Sequence, residues 1–476
     1  MSEPLATAQS KPTDARCTGV ELYFLPIKTR IPLKFGPEVV TSVTCSRAKI
    51  TVTDRSGRTA VGWGETPISV QWVWPSTIAY EERHQILLKF CKTLAHEWAH
   101  FDTFGHPITV GYAFQRERLK ALLTADNATR PADRAMPWLA ALVCCSVFDI
   151  ALHDAYGVLH QRYIYDTYNR EYMNADLSAF LEPAEKSNVD FRGTYPSDFL
   201  SSSRTNVMPA WHLVGGLDRI AVSEPESVKV NDGVPTLLAD WIRRDGLNCL
   251  KIKLKGNDVA WDIQRIVDVG TLAIEHGVDW LSTDFNCTVH DVAYVNHILD
   301  HLLAAHPRIY GMILYVEQPF PYEIEEHPID VHSVAARKPL FMDESAHDWH
   351  MVKLGRELGW TGVALKTCKT QTGALLSACF AKAHGMTLMV QDLTNPMLAM
   401  IPHALLASHV GTIMGVETNA SQFYPDASSL EERVHPKLYR RQNGSVDLSS
   451  LRGPGFGYRV DEIGRELGEA VVRVTA

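Results

Sequence analysis

The chain has 476 residues, 46% of them apolar and 21% charged, with a formal net charge of −9. That length exceeds one ordinary hydrophobic core and predicts two domains. The acidic balance argues against nucleic acid or an anionic membrane as the main partner, and no uninterrupted apolar run reaches the roughly 18 residues of a membrane span.

The first sixteen residues, MSEPLATAQSKPTDAR, are polar and do not read as a signal peptide. Nine scattered cysteines form no CxxC pair, so neither a disulfide framework nor a zinc ribbon is expected. Reduced thiols and a cytoplasmic location fit this pattern.

Residues 17–70 read as an antiparallel meander with a turn at Ser56-Gly57. Residues 81–160 read as helices, and the run from Met136 to His160 is apolar enough to be buried. Residues 165–206 are polar and irregular, as in an insertion or linker.

From 207 the texture changes to short apolar runs alternating with amphipathic stretches. Eight runs have strand character: 207–214, 249–255, 278–284, 311–319, 339–345, 361–367, 386–392 and 410–418. Eight strands alternating with helices imply parallel βα units closing into a barrel. The tail, 436–476, loses this rhythm and is expected to pack back on the first domain.

In such barrels functional residues stand at the C-terminal ends of strands, around one mouth. Six consecutive strand ends carry one ionisable group each: Lys253, Asp284, Glu317, Asp343, Lys366 and Asp392. Asp284, Glu317 and Asp343 come from three adjacent strands. Three carboxylates there need a cation, and an all-oxygen set selects Mg²⁺, or Mn²⁺, over zinc. In CLKIKLKG (249–256) the lysines alternate with Leu250, Ile252 and Leu254, which turns Lys251 and Lys253 into the mouth and the aliphatic face to the core. Lys251 beside Lys253 is expected to lower its neighbour's pKa by repulsion.

These motifs resemble the enolase superfamily, in its muconate-lactonising subgroup. The matching residues are Lys251-Ile252-Lys253, the D-x-N of Asp284 to Asn286, VEQP (316–319), DES (343–345) and Lys366 in VALKTCK, with VGWGET (61–66) and GPGFGYRVD (453–461) outside the barrel. The resemblance implies a (β/α)₇β-type TIM barrel under an α+β capping domain. The cap spans 17–170, a linker or insertion 171–206, the barrel 207–435, and a tail over 436–476 returns to the cap. It also implies one Mg²⁺ on Asp284, Glu317 and Asp343, with Lys253 and Lys366 as acid/base groups. Lys251, Asn286 and Asp392 are expected to bind a small carboxylate substrate, and a homo-oligomer is expected. The activity so implied is racemisation or epimerisation of an amino-acid derivative, with cycloisomerisation or syn dehydration as the alternative. A non-catalytic binding protein on the same barrel is the reading from another class.

The sequence departs from that pattern in three places. KIKLKG adds a residue after the strand, Gln391-Asp392 stand where a small polar residue is common, and Glu417-Thr418-Asn419 replace a D-x-D. Insertions near 100–135 and 165–206 are also larger than usual. All of this bears on the substrate more than on the chemistry.

Other readings stay open from sequence alone. HEWAHFDTFGH (96–106) contains H-E-x-x-H, but it lies away from the barrel residues and reads better as a histidine-rich surface helix and loop. Asp343 could cap the helix that follows it. Lys369 is a loop charge or a substitute for Lys366. Asp392 is a substrate contact, an ion-pair partner of Lys366 or a cap. Trp72 and Trp74 line the pocket, fill a core or make a subunit contact.

Overall fold

The computed structural model describes residues 9–224 and 230–476; the first eight residues of the polar N-terminal stretch lie outside these. Strands β1 (Ala15–Phe35), β2 (Glu38–Asp54) and β3 (Thr59–Ile68) form the expected antiparallel meander. Their period-two pattern is visible in β2, where Ala48, Ile50 and Val52 are fully buried and lie on one face.

That face packs on the helix Trp138–Leu159. The helix is long and apolar enough to cross a bilayer, yet nearly all of it is buried inside the fold, so it serves as the core of the cap. Two glycines of VGWGET bring it that close. A Cβ on Gly62 would stand 2.0 Å from the backbone nitrogen of Ala155, and one on Gly64 2.1 Å from the carbonyl of Val147. Asp154 of the same helix accepts from the backbone of Trp63 and of Phe456, both at 2.9 Å. The glycine motifs at 61–66 and 453–457 are thus the two sides of one knot around Asp154.

The barrel comprises β4 (Val207–Val214), β5 (Cys249–Lys253), β6 (Trp280–Asp284), β7 (Ile313–Glu317), β8 (Leu340–Met342), β9 (Gly362–Leu365), β10 (Thr387–Val390) and β11 (Val416–Glu417). They pair in parallel in the order β10-β9-β8-β7-β6-β5-β4-β11. The backbone N–H of Ile413 donates to Leu388 at 2.7 Å and brings the two ends together. All eight predicted strands are present, and a helix follows each of the first seven. Inside the ring, Trp211, Cys249, Tyr315, Phe341 and Met389 fill the space beneath the mouth.

The tail divides its contacts. β12 (Ser445–Asp447) pairs with β4, and β13 (Val472–Thr475) adds an antiparallel edge strand to β1. Residues 165–206 carry only short 3₁₀ turns, as their composition suggests. They are nevertheless pinned to the core by Tyr168, Leu177, Phe180 and Phe191, all buried. The H-E-x-x-H histidines do not converge. His96 and His100 are exposed, while His106 is buried and caps the next helix through Ile108.

Candidate active site

The register of the sheet aligns the mouth residues. Lys253 lies opposite Asp284, and Asp284 opposite Glu317, across three neighbouring strands. Asp343 and Lys366 directly follow β8 and β9. All five are buried, with Asp284 and Glu317 wholly inaccessible.

Lysines stand among these carboxylates. Lys251 Nζ lies 2.8 Å from Glu317, 3.1 Å from Asp284 and 3.3 Å from Glu417. Lys253 pairs with Asp284. Lys366 lies 3.2 Å and Lys369 3.3 Å from Asp343. The expected repulsion between Lys251 and Lys253 is therefore interrupted, because the Asp284 carboxylate touches both ammoniums.

The electrostatics follow from burial against pairing. Burial pulls the Lys251 ammonium down, but Glu317, Glu417 and Asp284 outweigh it and hold it well above the ordinary lysine range. Lys366 is raised in the same way: burial opposes, and Asp343 prevails. Burial raises Asp284, yet Lys253 and Lys251 bring it below the usual carboxylate range. Asp343 is lowered against burial by Lys366 and Lys369. Glu317 goes the other way. Burial, and then the charge of Asp284, push it well above its ordinary value despite Lys251.

Local backbone explains the motif residues between the charges. Asn286 and Cys287 have φ of 46° and 65°, a left-handed pair that lets the Asn286 N–H donate back to Asp284 at 2.9 Å. Gln318 has φ of 30°. Its side-chain oxygen accepts from the N–H of Asp343 at 2.7 Å and from the N–H and hydroxyl of Ser345 at 3.2 and 2.8 Å. The Gln of VEQP and the Ser of DES thus orient Asp343. The helix cap proposed for Asp343 belongs to Asp348 instead.

Lys369 is a buried site residue, not a loop charge. Asp392 lines the cavity over the lysines, as Asn286 does, and also accepts from the backbone of Asn395 at 2.8 Å and of Asn419 at 2.6 Å. Lys366 donates to its main-chain oxygen at 3.0 Å instead of its carboxylate. The Trp72 ring faces Lys366 and Lys369, at 5.3 and 5.7 Å from ring centre to ammonium, and its indole N–H donates to Glu344 at 3.0 Å.

Sequence reasoning left Glu417, Gln391 and Glu344 out of the site. Glu417 ends the eighth strand, so the same strand-end rule extends to it. Lys251 and Asn419 hold it below its ordinary pKa against burial. Gln391 joins Glu317 to the Tyr315 hydroxyl. Glu344 is pushed up to about 7, by burial first and the charge of Asp343 second.

Above these residues the cap contributes Leu33, Phe35 and Trp72 to a cavity whose floor includes Lys251, Lys253 and Lys366. Counted as fully ionised, six buried acids (Asp284, Glu317, Asp343, Glu344, Asp392 and Glu417) and four buried lysines (251, 253, 366 and 369) leave a formal surplus of two negative charges. One divalent cation balances that surplus, and the donors are all oxygen, so the residues fit a hard ion such as Mg²⁺. Among the described residues no three acidic, histidine or cysteine side chains form a ready-made cage, because the ammoniums stand between them.

Residues 234–463 match the family described as enolase C-terminal domain-like. A search of curated proteins gives no match to this chain. Several solved structures share the whole architecture. N-succinyl Arg/Lys racemase from Bacillus cereus is 15% identical, with 97% of this chain and 100% of that one covered at a TM-score of 0.59. A dipeptide epimerase from Enterococcus faecalis, complexed with Mg and L-Leu-L-Tyr, is 15% identical over 93% and 99% of the two chains at 0.59. Muconate lactonizing enzyme from Pseudomonas fluorescens, complexed with muconolactone, is 13% identical over 93% and 96% at 0.56. At these identities the likeness is one of fold.

Fold and site together define a capped (β/α)₇β barrel with charged residues converging at its mouth. Residues 234–463 match the enolase C-terminal domain-like family, and the chain as a whole shares the fold of these solved structures.

Proposed function

We propose that this protein is a Mg²⁺-dependent isomerase that removes and returns the α-proton of a small carboxylate, most simply as a racemase or epimerase of an amino-acid derivative. The observation that carries the reading is the placement of two buried lysines at the ends of strands β5 and β9, with the three strands that end in carboxylates between them. Asp284, Glu317 and Asp343 would hold the ion. When bound, it supplies electrostatic stabilisation to negative charge developing on the substrate carboxylate; Mn²⁺ has the same donor preference.

The chain's own residues do the rest. Lys251 offers a fixed positive charge at the floor of the cavity. Lys253 takes a proton from one face of the α-carbon and Lys366 delivers one to the other, and each reverses its role for the opposite enantiomer. Leu33, Phe35 and Trp72 cover the mouth and exclude water. The same pair of lysines serves cycloisomerisation or syn elimination when only one acts as base.

The test is α-proton exchange in D₂O, read by NMR, across a panel of N-acyl amino acids and dipeptides with Mg²⁺ present. Exchange supports the reading. No exchange with any carboxylate, in protein shown by calorimetry to bind Mg²⁺, refutes it. Absence of Mg²⁺ and Mn²⁺ binding favours the non-catalytic binding protein.

A further inference from the structure

The cap helix Trp138–Leu159 is apolar along most of its length, yet it buries Asp149 and His153 completely. They lie one turn apart on one face. Neither lines the cavity over the lysines. Both reach out of the cap to the same barrel residue. Asp149 accepts from the N–H and from the hydroxyl of Thr372, both at 2.8 Å, and His153 Nε2 lies 2.9 Å from that hydroxyl. A second cap helix, Pro107–Phe114, closes on the same spot. A Cβ on its Gly111 would stand 2.2 Å from Asp149 Oδ1 and 2.6 Å from Thr372 Oγ1. Gln115, which opens a π-helical turn directly after it, donates to the Thr370 hydroxyl at 3.2 Å. Such turns are frequent where a helix serves a functional site.

Thr372 stands in the first turn of the helix Gln371–Ala383, and the turn leading into that helix carries half of the site. Lys366 directly follows β9, and it and Lys369 both pair with Asp343. The Lys369 N–H donates to the Lys366 carbonyl at 3.1 Å, which ties the two lysines into one tight turn. Thr370 then has φ of 77°, an outlier for a β-branched residue. A conformation of that kind persists only where its surroundings hold it. Here the Gly373 N–H donates to its hydroxyl at 2.9 Å, and the cap grips it through Gln115 and, two residues on, through Asp149. The turn after β5 is held differently. There Asp262, a residue of the barrel, accepts from the N–H groups of Lys255 and Gly256 at 2.8 and 2.9 Å.

We infer that Asp149 is a positioning residue for Lys366 and Lys369: from the cap, it fixes the start of the helix Gln371–Ala383 and, through it, the turn that carries both lysines. Of the two acid/base groups, Lys366 is thus set by the cap and Lys253 by the barrel. The inference rests on the proposed function for the role of Lys366, while the grip on the turn has a readout of its own.

The experiment is acetylation of the full chain by acetic anhydride in Mg²⁺, with the rate at each lysine read by mass spectrometry. Asp149→Leu is expected to raise the rate at Lys366 and Lys369 about tenfold or more, the effect of losing a buried hydrogen-bonded anchor, and to leave Lys251 and Lys253 as in wild type. Asp149→Asn, which keeps an oxygen for Thr372, is expected to restore most of the protection. Gln115→Ala should give the same pattern at smaller size, and it decides the matter if Asp149→Leu does not fold. A rise at all four lysines, or at none, overturns the assignment. Exchange in D₂O from both enantiomers of the panel carboxylates is followed alongside. Asp149→Leu is expected to slow by about tenfold the exchange that Lys366→Ala abolishes and to spare the one that Lys253→Ala abolishes; an equal loss from both enantiomers overturns it. The two readings separate cleanly. Selective labelling in a protein that exchanges no α-proton keeps the positioning role and removes the isomerase; exchange in wild type with unselective labelling in the variants does the reverse.

Discussion

Lys253 and Lys366 face each other across the barrel, because β5 and β9 are four places apart in a ring of eight strands, half its circumference. A planar intermediate lying between them presents one face to each amine. Lys253→Ala is expected to abolish α-proton exchange from one enantiomer and Lys366→Ala from the other, each by about 10² to 10⁴. Net epimerisation disappears in both variants. If a single lysine is the base, the second variant still exchanges the same proton, and the reaction is an elimination or ring closure. Normal exchange from both enantiomers in both variants removes these lysines from the mechanism.

Gln318 never touches the cavity, yet it holds the backbone of Asp343 and Ser345 in place. Gln318→Ala is expected to weaken Mg²⁺ binding by about 10- to 100-fold, the usual cost of losing a supporting contact. Titration calorimetry with the metal alone reads this directly. An unaltered affinity would show that Asp343 is oriented by other contacts.

Burial raises the Asp154 carboxyl to about 7, against the backbone donors of Phe456 and Trp63. The folded state therefore binds a proton that the unfolded state releases near 4. Its contribution is full below that value and is lost as pH rises through about 7. Asp149, raised to about 6, acts with the same sign. Buried histidines lowered below their ordinary value, such as His153, act with the opposite sign, so the test is a difference: relative to wild type, Asp154→Asn should lose the part of the pH 5 to 8 change in melting temperature that falls with rising pH. An identical slope in the variant would mean that Asp154 is ionised throughout.

Gly62→Ala places a methyl group against the backbone of Ala155, where no side chain can yield. The expected cost is about 3 kcal/mol or more, since overpacking against main chain forces the helix off the sheet. Gly57→Ala is the informative control: it has open space around it and only its φ of 84° to resist. Thermal denaturation of the two variants should separate crowding from backbone strain.

Much of the barrel was legible because its signals are periodic. Alternation over Cys249–Lys253 separates Leu250 and Ile252, which pack outward, from lysines that point in, and strand ends recur at the spacing of one βα unit. The charge of each strand end was therefore readable, but its partner was not. Pairing of Lys251 with Glu417 depends on β11 closing beside β4, which no local pattern announces. Gln318 and Asn286 were visible as motif letters, while their work is done through main-chain bonds at positive φ, a property of the folded turn. Residues 165–206 hid their role for a related reason. Tyr168, Phe180 and Phe191 reach the core from irregular backbone, so their spacing carries no period.

The strand contributed by Val472–Thr475 lies on β1, whose own pairing begins at Ala15. The sheet of the cap is thus completed by a strand that follows the entire barrel in sequence. The cap cannot be finished before the barrel has been made. Without Val472–Thr475, β1 has an open edge where a neighbouring chain could add a strand. Deleting only those residues would leave the barrel mouth chemically intact and still produce a protein prone to self-association. Conversely, the N–H of Ala476 donates to Thr18 at 3.0 Å. Residues 18 and 476 therefore lie side by side, so a circular permutant of the described residues would be closed by a short linker at this edge of the cap.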